Sequence, residues 1–65
     1  MQFKRAADDG TSTIYEARKA TQTEEIITPW GNAIVMPGVY VFSRDDERFA
    51  VTEEDASNTN LWVKL

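Results

Sequence analysis

The run Val39-Tyr40-Val41-Phe42 constrains the fold more than any other stretch of this chain. Four consecutive β-branched and aromatic residues favour a strand. A strand without a polar position must be covered, at least in part, on both faces, so this one belongs in the middle of a sheet. It is launched by Pro37-Gly38, where Pro presets φ for the second turn position and Gly suits the third. Upstream, Thr28-Pro29-Trp30-Gly31-Asn32 is another turn sequence. Residues 24–27 should therefore run into that turn and return as residues 33–36.

The remaining segments read as partners for this centre. Residues 1–7 alternate weakly, with Met1, Phe3 and Arg5 on one side. Asp8-Asp9-Gly10-Thr11 is a hairpin signal, because a tight type I′ turn needs positive φ. Residues 13–20 suit either a return strand or a helix, since Glu-Ala-Arg-Lys-Ala is locally helix-friendly. The Asp-Gly turn and the extended Thr-Ser-Thr favour the strand. Beyond Phe42, residues 43–48 form a polar reversal without Gly, expected as a loop of several residues rather than a two-residue turn. Phe49-Ala50-Val51 should then pair back on the central strand. Thr52-Glu53-Glu54-Asp55 is a helix start, with a capping Thr and acids at the positive end of the helix dipole. The poor helix formers in 57–60 keep that helix short. Leu61 to Leu65 alternates and reads as a terminal strand.

These elements describe one mainly β domain: a small antiparallel SH3-like barrel or β-roll of five to six short strands, with one short helical turn near 53–57. The expected core is Phe3, Ile14, Ile26, Ile34, Val39, Val41, Phe49, Val51, Leu61 and Val63. Whether Ile26 or Ile27 faces inward is left open by the pattern, because a slip of one residue flips the side chain. Sixty-five residues bury only about 60% of their unfolded surface, so the core should supply roughly 3–5 kcal/mol.

Composition narrows the chemistry. The chain has no Cys and no His, which removes disulfides and the usual zinc sites and leaves no metal or cofactor to expect. A disulfide-free domain this small fits a reducing cytoplasm. No segment approaches the length of a membrane span. The net charge of −4 disfavours a general nucleic-acid binder, although Lys4, Arg5, Arg18 and Lys19 with Tyr15 could form a local basic patch. The three glycines are all explained by turns rather than by a phosphate loop. With no positioned base or nucleophile in view, no catalytic residue is assigned and the chain is read as a non-enzyme.

The order of motifs resembles that of small phage- and prophage-encoded domains of unknown function that carry a PGDYL-type motif. Tyr15-Glu16-Ala17, Thr28-Pro29-Trp30-Gly31, Pro37-Gly38-Val39-Tyr40 and Thr52-Glu53-Glu54-Asp55 carry the likeness, over residues 15–65. Two positions depart from that pattern. Val39 replaces the Asp after Pro-Gly, and the Phe of the family's helix is replaced near Ala56. The resemblance implies a small β-rich fold and a phage or mobile-element context in a bacterial cytoplasm, and it implies no reaction.

Two kinds of binding surface follow from the residues. Trp30 sits at a turn tip, and Tyr40, Phe42 and Trp62 should point outward if Val39, Val41, Leu61 and Val63 point in. Such an aromatic patch would serve homo-oligomerisation or binding of a host protein. The alternative is an acidic face of Asp45, Asp46, Glu47, Glu53, Glu54 and Asp55 that mimics nucleic acid on a basic partner. A structural virion or accessory component is the third reading.

Overall fold

A computed structural model describes residues 1–5 and 13–65. In chain order the elements are β1 (Gln2–Arg5), β2 (Ile14–Lys19), β3 (Glu24–Thr28), β4 (Gly31–Val35), β5 (Tyr40–Arg44), β6 (Glu47–Val51), α1 (Glu53–Ala56) and β7 (Trp62–Lys64). The stretch left open between strand and helix is strand β2. The Asp8-Gly10 turn lies outside the described residues.

The apolar run does sit inside a sheet. Five strands pair in the order β6-β5-β2-β1-β7, each antiparallel to its neighbours. β3 and β4 form a separate two-stranded hairpin that lies across β6. The fold is mainly β, as expected, but with seven strands rather than five or six among the described residues, and the sheet does not close into a barrel. Its ends are β6 and β7. After β6 the chain leaves through α1 and returns to the free edge of β1, where the three residues of β7 pair. Among the described residues no strand pairing joins β6 to β7.

β5 packs on both faces. Phe42, fully buried, joins Phe3, Tyr15, Ala17, Val51 and Ala56 on one side. Val41 joins Ala20, Ile26 and Val35 on the other. The first core is aromatic. The Phe42 ring lies 4.9 Å from Phe3 and 4.7 Å from Trp62, and Tyr15 meets Phe49 and Trp62 edge to face at 5.3 and 5.4 Å. Such pairs contribute about 0.5–1.5 kcal/mol each beyond the area they bury.

Several inward assignments are corrected. Ile14, Ile34, Leu61 and Val63 are exposed, while Tyr15, Ala17 and Val35 are buried in their stead. In β2, β4 and β7 the register is one residue away from the expectation, and that moves the whole alternating set to the other face. Aromatic rings decide the outcome in β2 and β7. Tyr15 and Trp62 carry more apolar area than Ile14 or Val63, and burying them leaves the aliphatic neighbours outside.

The turns carry the rest. Gly38 takes φ of 93° and the Val39 N–H donates to the Met36 carbonyl at 3.1 Å, closing the Pro37-Gly38 turn as the sequence requires. The reversal between β5 and β6 is tighter than expected. Arg44 pairs with Glu47, so Asp45-Asp46 is a two-residue turn, and Asp45 supplies the positive φ of 53° that a Gly would otherwise give. Asp tolerates this region because its short side chain bonds locally. Thr52 caps α1, its Oγ1 accepting from the Asp55 N–H at 3.1 Å. Arg18 at the end of β2 holds Glu24 at the start of β3 through two guanidinium nitrogens, one at 2.9 Å.

Two outcomes are expected. Phe42→Ala removes the ring shared by the aromatic core and should cost about 3–5 kcal/mol, comparable with the whole stability. Urea melts should then show no folded baseline, whereas Phe42→Leu should still unfold cooperatively. The hydrogen bond from Arg18 holds the Glu24 carboxyl below the usual carboxylate range. A lowered folded pKa stabilises above the unfolded pKa, and that contribution is lost as pH falls through the folded value. Glu24→Gln should therefore slightly flatten the acid limb of stability against pH, and added salt should shrink the difference because the pair is exposed.

Candidate functional site

The aromatic residues expected outward divide into two groups. Phe42 has no accessible surface, and Tyr40 and Trp62 are half-buried against the same core. The expected outward orientation of Tyr40, Phe42 and Trp62 is therefore corrected. Positions 40 and 42 share the face of β5 that α1 helps to cover, and Ala56 is buried within that cluster. The remaining edges of Tyr40 and Trp62, with Phe3, Ala56, Ser57, Thr59 and Lys64, line a cleft of about 180 Å³. Ligand pockets generally begin near ~300 Å³. Two of its lining rings also face cations: Lys19 Nζ lies 5.8 Å from the Tyr40 ring and 3.5 Å from the Glu53 carboxylate, and the Arg5 guanidinium lies 6.0 Å from Trp62.

Trp30 lies outside this cluster. It is 77% exposed at the β3–β4 turn, with its ring 6.3 Å from Phe49. Thr28 presents it. This buried Thr donates from Oγ1 to the Gly31 carbonyl and accepts the Trp30 N–H at 3.3 Å.

Around Trp30 the hairpin exposes more apolar surface than the sequence reading assigned to it. Glu25 pairs with Ile34 and Ile27 with Asn32, so Ile27 and Ile34 are diagonal neighbours on one face. They are 75% and 62% exposed, and Met36 just beyond is 56% exposed. The opposite face is the packed one, with Ile26, Thr28 and Val35 buried. The signal was present in two adjacent pairs, Ile26-Ile27 and Ile34-Val35. In a two-stranded hairpin only one member of each pair can face inward.

A second exposed apolar set, Ile14 and Val63, is interrupted by Lys4, which pairs with both. On that face a shallow depression lined by Gln2, Ile14, Glu16, Ser43, Arg44 and Asp45 is mostly polar, with Gln2 Nε2 donating to Glu16 at 2.7 Å.

The acidic residues are not brought together. Asp45, Asp46 and Glu47 lie at the β5–β6 turn, while Glu53, Glu54 and Asp55 lie in α1. Residues 48–52, most of them in β6, separate them, roughly 17 Å of extended chain. Among the described residues no three acidic side chains converge as metal ligands would, and no helix is long and apolar enough to cross a membrane.

No family model, curated protein or solved structure matches this chain.

The two tryptophans give a direct check on the placement. Trp62→Phe leaves Trp30, whose emission should be red-shifted and readily quenched by acrylamide. Trp30→Phe leaves Trp62, whose emission should be blue-shifted and more protected. Equal quenching of the two variants would contradict the arrangement.

Proposed function

We propose that this chain is a small non-enzymatic protein-interaction module whose contact surface is the outer side of the β3–β4 hairpin. Ile27, Trp30, Ile34 and Met36 supply the contact. One observation carries the reading: among the described residues the four largest exposures of bulky apolar side chains, apart from Leu65, are three in this hairpin and Met36 directly after it. Scattered exposed apolar residues are ordinary, but a grouped set rimmed by polar residues marks an interaction site. Trp30 is the natural anchor, since aromatic residues dominate binding hot spots. The phage or mobile-element context is part of the same proposal and is supported by the short turn motifs alone.

The test is the double variant Ile27→Lys, Ile34→Lys. Both positions are exposed, so its unfolding free energy from urea melts should stay within about 0.5 kcal/mol of the parent. Self-association by light scattering, and any partner binding of the parent, should be lost. A folded double variant that keeps every association of the parent would refute this surface.

A further inference from the structure

We propose that the partner of this hairpin is a second copy of the same chain, joined edge to edge through β4 in a two-fold antiparallel pairing centred on Ala33. The inference rests on the hairpin being the contact surface and commits it to one occupant.

The first argument is the state of the edge. Among the described residues β4 pairs only with β3, which leaves a row of backbone donors and acceptors along its other side. Proteins guard such edges with charges, prolines or bulges. The outer strands of the larger sheet follow that rule: β6 carries Glu47 and Arg48, and β7 carries Lys64. β4 is Gly-Asn-Ala-Ile-Val, with no charge and no Pro. No charged residue lies anywhere between Glu25 and Arg44.

The second argument is charge. Two copies each carrying −4 repel at long range, so they can meet only where the contact itself is uncharged. In a two-fold pairing a charged residue next to the axis would also lie diagonally across from its own copy. β4 has none to meet. The nearest acids on the hairpin, Glu24 and Glu25, are on β3. In the four-stranded sheet β3-β4-β4-β3 the two β3 strands stand about 14 Å apart, beyond the screening length of roughly 8–10 Å at moderate salt.

The third argument is register. β4 runs from Gly31 to Val35, so its maximal overlap with itself places Ala33 on the axis and sets Asn32 against Ile34 of the other copy. The turn next to Thr28 and Gly31 closes the hairpin, and the alternation of an antiparallel ladder then directs the N–H groups of Asn32 and Ile34 to the free side. These are the groups such a pairing needs. The same register brings Trp30 of each copy beside Met36 of the other. Both are exposed in the single chain, and Met with an aromatic ring is a favourable contact.

The experiment is light scattering over a dilution series at low and moderate salt, with oxidative cross-linking of single-Cys variants. The chain has no native Cys, so each introduced thiol reports alone. The expected result is a dimer that tightens with salt, a disulfide-linked dimer from Ala33→Cys, and none from Ile27→Cys, whose two copies would be too far apart to bridge. Ile34→Lys should weaken the dimer by at least about tenfold by placing like charges diagonally across the axis, while Ile14→Lys, at an exposed position of the other sheet, should leave it intact. A parent that stays monomeric at every concentration and salt overturns the second copy as occupant and leaves the hairpin to another partner. A dimer cross-linked through Ile27→Cys overturns edge pairing in favour of face packing. A dimer untouched by Ile34→Lys, or broken by Ile14→Lys, overturns both this pairing and the hairpin surface.

Discussion

The burial of Phe42 is the contact on which the other elements converge. Its ring touches residues from β1, β2, β6 and β7, and α1 closes the same cluster through Ala56. In a chain of this size there is little aliphatic volume to spare, so most of the hydrophobic area must come from rings. Six of the seven aromatic residues are gathered there. The exception is Trp30, and its exclusion from the core is what makes it available for contact.

The neighbouring position in the same strand explains the hairpin. β2 and β5 pair directly, Glu16 with Ser43 through Lys19 with Tyr40, so residues 20–39 must leave the sheet and come back. They do so as β3 and β4, whose inner residues Ile26 and Val35 cover Val41. That excursion completes the second face of the central strand. It also creates a two-stranded element that packs on one side only, and the other side is left with Ile27 and Ile34. The exposed apolar surface is thus a by-product of covering β5 twice, and it is the surface through which the module is proposed to act.

Much of this could be read from residues. The unbroken apolar run called for a central strand with two covered faces, and Val41 and Phe42 supply one buried side chain to each. The two Pro-Gly-type turns, the pairing of Phe49 with Phe42 and the capping by Thr52 follow directly from turn and cap chemistry. The sides of β2 and β7 were not legible, because alternation fixes which residues share a face but not which face is inside. Treating aliphatics as core put Ile14, Leu61 and Val63 in; ranking by ring area would have chosen Tyr15 and Trp62. The tight β5–β6 turn was missed because Asp45 does the work usually assigned to Gly. The candidate surface was half legible. Trp30 stood out by its place in a turn, whereas Ile27 and Ile34 emerge only once both strands of the hairpin are seen to share one packed side.

Native-state hydrogen exchange on β5 addresses the two-sided packing most directly. If Phe42 and Val41 anchor both cores, the β5 amides should exchange only through global opening, with a free energy equal to that from urea unfolding, while those of β7 exchange through smaller local openings. β5 amides that open well below the global free energy, or no more slowly than those of β7, would contradict the packing on which this description is built.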